Sequence, residues 1–295
     1  MHKHENSLIN HFNFLLKNLT LQGEIDKYPN QIVMHQGYFD SYNYDSPVKH
    51  LNLREWILRD NWFYFLLSYG IIVLRTRKEA MNNLYGTKEW TDSSFEIFRL
   101  IEKIGGRFHI TGMENIMKSN EPVIFLSNHM STLETMIFPC IIAPHRKVTF
   151  VVKESLVKHP LFGAVMRSRE PVVVGRIDPR KDFETVMTQG LELLNKGISI
   201  IIFPQSTRST EFKPEEFNSL GVKLAKKAGV QVVPIAIKTD FWGNGKVIKE
   251  IGKLDHSRII HIKFEEPFFV TGPGKDENQK IIDFIIRNLK IWDSE

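Results

Sequence analysis

Two polar corners in this chain carry the residue types that acid–base and anion chemistry require. The first is Ser127-Asn128-His129-Met130-Ser131-Thr132-Leu133-Glu134, preceded by the apolar run Val123-Ile124-Phe125-Leu126 and followed by an apolar block from Met136 to Ile142. That pattern predicts a buried strand, a polar corner and then a helix. His129 then falls at the carboxyl end of a strand, where open α/β sheets place their ligands. A carboxylate can fix an imidazole's tautomer and stabilise its charged form, as a general base requires. Five positions is about 140° around a regular helix, so His129 and Glu134 meet only if the histidine precedes the first full turn. The same residues also fit a capping box, Ser131-x-x-Glu134, with a bystander histidine. Both readings stay open on the local residues.

The second corner ends the run Ile198-Ser199-Ile200-Ile201-Ile202-Phe203-Pro204-Gln205-Ser206-Thr207-Arg208-Ser209. Pro204 lacks an N–H and stops the strand's ladder. The turn beyond it offers hydroxyls, backbone donors and a guanidinium. An arginine fork matches the oxygens of a phosphate, which makes Arg208 a candidate clamp. An ordinary surface turn is the competing reading.

The elements that must position these corners follow from periodicity. Val/Ile-rich runs at 122–127, 148–152, 171–175, 198–203, 231–237 and 258–264 predict strands covered on both faces. Helical patterns lie between them: 182–196 with Asp182 as N-cap and Gly197 past its end, 216–228 ending at Gly229, and 276–292 with one apolar stripe. This alternation predicts an α/β fold, with a mixed, largely parallel central sheet flanked by helices. An N-terminal extension, 1–85, precedes the domain at 86–295. Residues 1–55 are polar and weakly patterned, and the sequon Asn18-Leu19-Thr20 lacks a signal peptide to give it meaning. Trp62–Leu74 is the longest apolar run, thirteen residues, short of the roughly 20 that cross a bilayer. Its aromatics and the following Arg75, Arg77 and Lys78 predict a membrane-associating interfacial helix; a buried core helix is the alternative.

Composition sets outer limits. The 295 residues, 42% hydrophobic and 25% charged, suffice for one large domain with an appendage. The single cysteine, Cys140, excludes an intrachain disulfide and suits a reducing compartment. The histidines are scattered without ligand spacing, so no metal site is expected. Nucleotide-binding glycine loops are missing. Net charge is +5, yet nine basic against three acidic residues between Arg146 and Lys181 give that segment alone +6. Such a block favours an anionic partner: a phosphate, an acidic carrier protein or an anionic membrane surface. No recognition motif accompanies the charge, so no nucleic acid is expected.

Taken together, the corners resemble the motifs of the glycerophospholipid acyltransferases, the 1-acyl-glycerol-3-phosphate acyltransferase family. That family's first motif is Asn-His, four residues, Asp; here Asn128-His129 is followed by Glu134. Its third, Phe-Pro-Glu-Gly-Thr-Arg-Ser, is similar to Phe203-Pro204-Gln205-Ser206-Thr207-Arg208-Ser209. The second resembles Glu170-Pro171-Val172-Val173-Val174-Gly175-Arg176, and the fourth Val232-Val233-Pro234-Ile235. Lys153-Glu154-x-Leu156, running to Pro160-Leu161-Phe162-Gly163, also agrees, and the likeness covers roughly 95–270. Three departures stand out: Glu134 for Asp, Gln205-Ser206 for Glu-Gly, and Glu170 for Gly.

The resemblance implies an enzyme that moves a fatty acyl group from an acyl thioester, on coenzyme A or acyl carrier protein, to a hydroxyl of a lysophospholipid or glycerol phosphate. His129 would be the base and Glu134 its partner. Arg208, Arg176 and Lys153 would hold phosphate, with Thr207, Ser209, Gln205, Ser206 and Asn128 as further substrate contacts. Beyond the thioester co-substrate it implies no cofactor. The aromatic N-terminal segment would seat such an enzyme at the cytoplasmic face of a membrane, peripheral or interfacially anchored, where acyl chains are available. The same His/Glu pair could instead serve a thioester or lipid hydrolase, and the departures also fit a catalytically silent lipid-binding homologue.

Overall fold

A computed structural model of the protein describes residues 38–47, 61–205, 207–245 and 252–295. Every described residue lies in the unit Gly37–Glu295, which holds both corners. The sequon and most of the polar N-terminal stretch lie outside the described residues.

The strands are β1 (Tyr44–Asp45), β2 (Arg107–Thr111), β3 (Ile124–Ser127), β4 (Val148–Lys153), β5 (Val172–Val174), β6 (Ser199–Ile202), β7 (Gln231–Lys238), β8 (Ile259–Phe264) and β9 (Phe268–Phe269). They form one sheet in the order β1-β2-β8-β7-β3-β6-β4-β5, with β9 against the start of β7. The β2/β8, β7/β3, β3/β6, β6/β4 and β4/β5 pairs are parallel. The β1/β2, β7/β8 and β7/β9 pairs are antiparallel. This is the mixed, largely parallel sheet that the sequence predicts, and β3, which leads into the His129 corner, is central.

The helices are α1 (Trp62–Met81), α2 (Thr87–Lys103), α3 (Leu133–Ile142), α4 (Glu154–Val157), α5 (Gly163–Arg167), α6 (Pro179–Asn195), α7 (Leu220–Ala228) and α8 (Lys275–Trp292). Strand alternation divides the core between them. Phe125, Ile201, Val233 and Ile235 face a layer built by α1, α2 and α3. Ile124, Leu126, Ile200 and Ile202 face Val186, Leu224 and Ile285 of α6, α7 and α8. Both faces are covered, which is why the strands read as unbroken Val/Ile runs.

Two sequence expectations need correction. The helix expected from Asp182 begins earlier, at Pro179, and its N-cap is Asp178, whose side chain accepts from the Arg180 and Lys181 N–H groups. Proline at the first helical position and an Asx cap together outcompete the later start. Asp182 instead turns back to accept from Gly175 N–H and Arg176 N–H, holding the loop after β5. The helix expected from 216 starts only at Leu220, after a 3-10 turn at Pro214–Glu216. The Trp62–Leu74 run lies within the 20-residue α1. Among the described residues no helix is long and apolar enough to cross a membrane.

Candidate active site

The first corner forms where β3 leaves the sheet. Ser127 pairs with Ile235 of β7 as the last residue of the β3/β7 ladder. The Asn128 side chain then supplies one more rung: its Nδ2 donates to Ile237 O at 2.8 Å and its Oδ1 accepts from Ile237 N–H at 2.9 Å. With the next backbone group freed from pairing, His129 turns out of the sheet ahead of α3. It therefore precedes the first helical turn, the condition for reaching Glu134.

The two readings of Ser131-x-x-Glu134 prove to be one arrangement. Glu134 Oε1 accepts from Ser131 N–H at 2.8 Å, as a capping carboxylate does, and from Met130 N–H at 2.7 Å. The same oxygen lies 2.8 Å from His129 Nδ1. Its Oε2 accepts from the hydroxyls of Ser131 at 2.9 Å and Thr239 at 2.7 Å. Burial alone would raise this fully buried carboxyl's pKa, but the imidazole, the Thr239 hydroxyl and the Ser131 N–H together hold it below 4.5. It is an anion, so Nδ1 of His129 carries the proton toward it and Nε2 is left as the acceptor. Burial pushes the His129 pKa below 6.5; Glu134 opposes that, while Arg208 and Arg176 reinforce it. The imidazole is neutral near pH 7 and competent as a base.

The second corner is fastened to the first through both backbone groups of His129. Gln205 Oε1 accepts the His129 N–H at 2.8 Å, and Ser209 N–H donates to the His129 carbonyl at 2.9 Å. Phe203 stacks on the imidazole, with ring centroids 4.2 Å apart. Arg208 Nη1 donates to Thr132 Oγ1 at 2.9 Å, spanning the two corners.

One cavity of about 630 Å³ opens at this junction. His129, Arg208, Arg176, Lys153 and Thr207 line one part of it, and Ile72, Ile97, Met136, Phe150 and Phe162 line its apolar remainder. Arg176 reaches it from a left-handed turn at φ 57° that Asp182 caps. Asn128 and Gln205 do not line the cavity; both are buried and hold backbone. Ser209's hydroxyl accepts from Glu211 N–H and also lies off the cavity wall. Ser206 lies outside the described residues. Sequence reasoning missed Thr239, Thr132 and Phe203. The last two sat within the quoted stretches, whereas Thr239 lies 105 positions from the carboxylate it touches, and no local signal connects them. Among the described residues no group of metal-ligating side chains is assembled.

The Acyltransferase family model matches residues 107–238, the span from β2 to the end of β7 that contains both corners. A 1-acyl-sn-glycerol-3-phosphate acyltransferase of Pseudomonas aeruginosa is 29% identical over 187 residues, 61% of this chain and 70% of that protein. A chloroplastic 1-acyl-sn-glycerol-3-phosphate acyltransferase of Arabidopsis thaliana is 30% identical over 155 residues, 52% of this chain and 41% of that one. The chain thus spans less than half the length of the plant relative. Among solved structures, the 1-acyl-sn-glycerophosphate acyltransferase PlsC of Thermotoga maritima shares the fold with a TM-score of 0.57 at 20% identity, over 82% of this chain and 98% of that one.

Proposed function

We propose that this chain, whose residues 107–238 match the Acyltransferase family model, moves a fatty acyl group from an acyl thioester to a hydroxyl of a phosphate-bearing lipid acceptor, a 1-acyl-glycerol-3-phosphate or a close analogue. One observation carries this reading: the buried His129–Glu134 pair opens into an apolar cavity whose polar end holds Arg208, Arg176 and Lys153.

The acceptor's phosphate pairs with the two guanidiniums and the ammonium, which brings its free hydroxyl to His129. Nε2 takes the hydroxyl proton as the oxygen attacks the thioester carbonyl. The C–O bond forms, the C–S bond breaks, and the imidazolium returns the proton to the departing thiolate. A free thiol has a pKa of about 8.5, so the leaving group departs readily and the enzyme needs no nucleophile of its own. Glu134, ionised throughout, stabilises the transient imidazolium and fixes its orientation. The acyl chain occupies the apolar part of the cavity between α1, α2 and β4. The donor is a thioester of coenzyme A or of an acidic carrier protein. Apolar side chains on the outer face of α1 seat the protein on a membrane surface.

The test is an acceptor screen with a palmitoyl thioester and product identification by lipid mass spectrometry, run on the wild type and His129→Ala. Acylated phospholipid from the wild type and at least about a thousandfold less from the variant is the expected result. Free fatty acid as the sole product, whether or not acceptor is present, would make the protein a hydrolase. Full transfer by the alanine variant would remove His129 as the base.

A further inference from the structure

Glu134 is one methylene longer than the acid at this place in the family motif, and the structure shows where the added length goes. Oε1 stays with the imidazole and two backbone N–H groups. Oε2 is turned away toward two buried hydroxyls, Ser131 on the same corner and Thr239 just beyond β7. Those hydroxyls stand 3.2 Å apart. Ser131 Oγ also accepts from Leu133 N–H, so it is fixed by the first turn of α3. Thr239 is completely buried and lines no part of the cavity, so it cannot meet a substrate. We propose that Thr239, with Ser131, clamps Glu134 Oε2 and so sets the plane in which Oε1 holds His129 Nδ1; Thr239 is a positioning residue for the catalytic pair.

The clamp follows from how a carboxylate moves. Its terminal torsion is broad and two-fold, so one oxygen held by a single donor leaves the other free to swing. Donors at both ends remove that freedom. With Thr239 on one element and Ser131 on another, the carboxylate is also tied to the sheet as well as to α3. The kinetic part of the inference rests on the acyl-transfer reading; the hydrogen-bond geometry does not.

The experiment compares Thr239→Val, which keeps the shape and removes the hydroxyl, with Thr239→Ser, which keeps the hydroxyl. In the valine variant kcat falls about 10- to 100-fold, the effect of losing one hydrogen bond to a charged group, while KM for donor and acceptor stays within about twofold. A carboxylate with fewer donors attracts the imidazolium more strongly, so the His129 pKa rises by at least about 0.3. The serine variant behaves as the wild type in both respects. The His129 titration is followed by nitrogen-15 NMR, which reads the clamp independently of turnover. A pKa shift in a protein whose wild type transfers no acyl group would retain the clamp and refute the transfer reading. An unmoved titration in the valine variant, or a serine variant as impaired as the valine one, would overturn the clamp.

Discussion

At the scale of the residue, the site is a neutral imidazole made basic on one side by a buried anion on the other. The directions of the two pKa shifts fix a pH dependence. In the proposed base role the reactive form of His129 is deprotonated, and burial places its pKa below 6.5. Glu134, held below 4.5, does not titrate in the working range. Activity is therefore complete above the His129 pKa and is lost as pH falls through it. The acidic limb of kcat/KM, measured against saturating donor, is expected below pH 6.5. A limb at or above 7 would mean that the group titrating is not an imidazole in this environment. Cys140 makes no competing demand: burial raises its thiol to about 12, so alkylating reagents at pH 7 are expected to leave the rate unchanged. The histidine and the acid were legible because they lie only five positions apart. The order of the oxygens' partners was not, since Thr239 arrives from the end of β7, more than a hundred positions away.

At the scale of the element, the corner exists because β3 ends at Ser127, two positions before His129, and the Asn128 side chain closes the ladder. Its amide serves the N–H and C=O of Ile237, which would otherwise be unpaired in the core. Asn128→Ala leaves both groups buried without partners. At about 1–3 kcal/mol for each unsatisfied group, the expected loss is about 3 kcal/mol in denaturant unfolding, with activity falling as the corner loses its anchor. A variant as stable as the wild type would mean that β3 and β7 stay together without this rung. Sequence periodicity gave the six Val/Ile-rich strands β3 to β8 to within a residue or two, because strands covered on both faces are written as continuous Val/Ile runs. It did not give β2, whose Arg107-Phe108-His109-Ile110-Thr111 alternates polar and apolar side chains at the less covered end of the sheet. Nor did it resolve the start of α6, where Asp178 and Asp182 are both plausible caps by type. Only the position of the β5 turn decides that Asp182 caps the loop and Asp178 the helix.

At the scale of the whole molecule, α1 is the element that relates the cavity to its surroundings. Its inner side buries Phe65, Tyr69, Ile72, Val73, Thr76 and Ala80, and Ile72 and Val73 form part of the cavity wall. Its outer side shows Phe63, Leu67, Leu74 and Met81, with Phe63 77% exposed. At 100° per residue these four fall within about 40° of one another, a continuous apolar stripe opposite the buried one. An exposed apolar stripe on a helix whose other side is already buried in the core marks an interaction surface. The inner side is covered by α2, α5 and the core; a lipid surface would cover the outer one. Burying three such side chains contributes about 1 kcal/mol each even when insertion is partial. The triple substitution Phe63→Ser, Leu67→Gln and Leu74→Gln is therefore expected to weaken co-sedimentation with anionic vesicles about a hundredfold. These positions are exposed, so thermal unfolding should stay within a few degrees of the wild type. Transfer to a detergent-dispersed acceptor should persist, while transfer to a vesicle-embedded one is lost. Undiminished vesicle binding in the triple variant would assign the membrane contact to another surface and leave the outer stripe of α1 without that role.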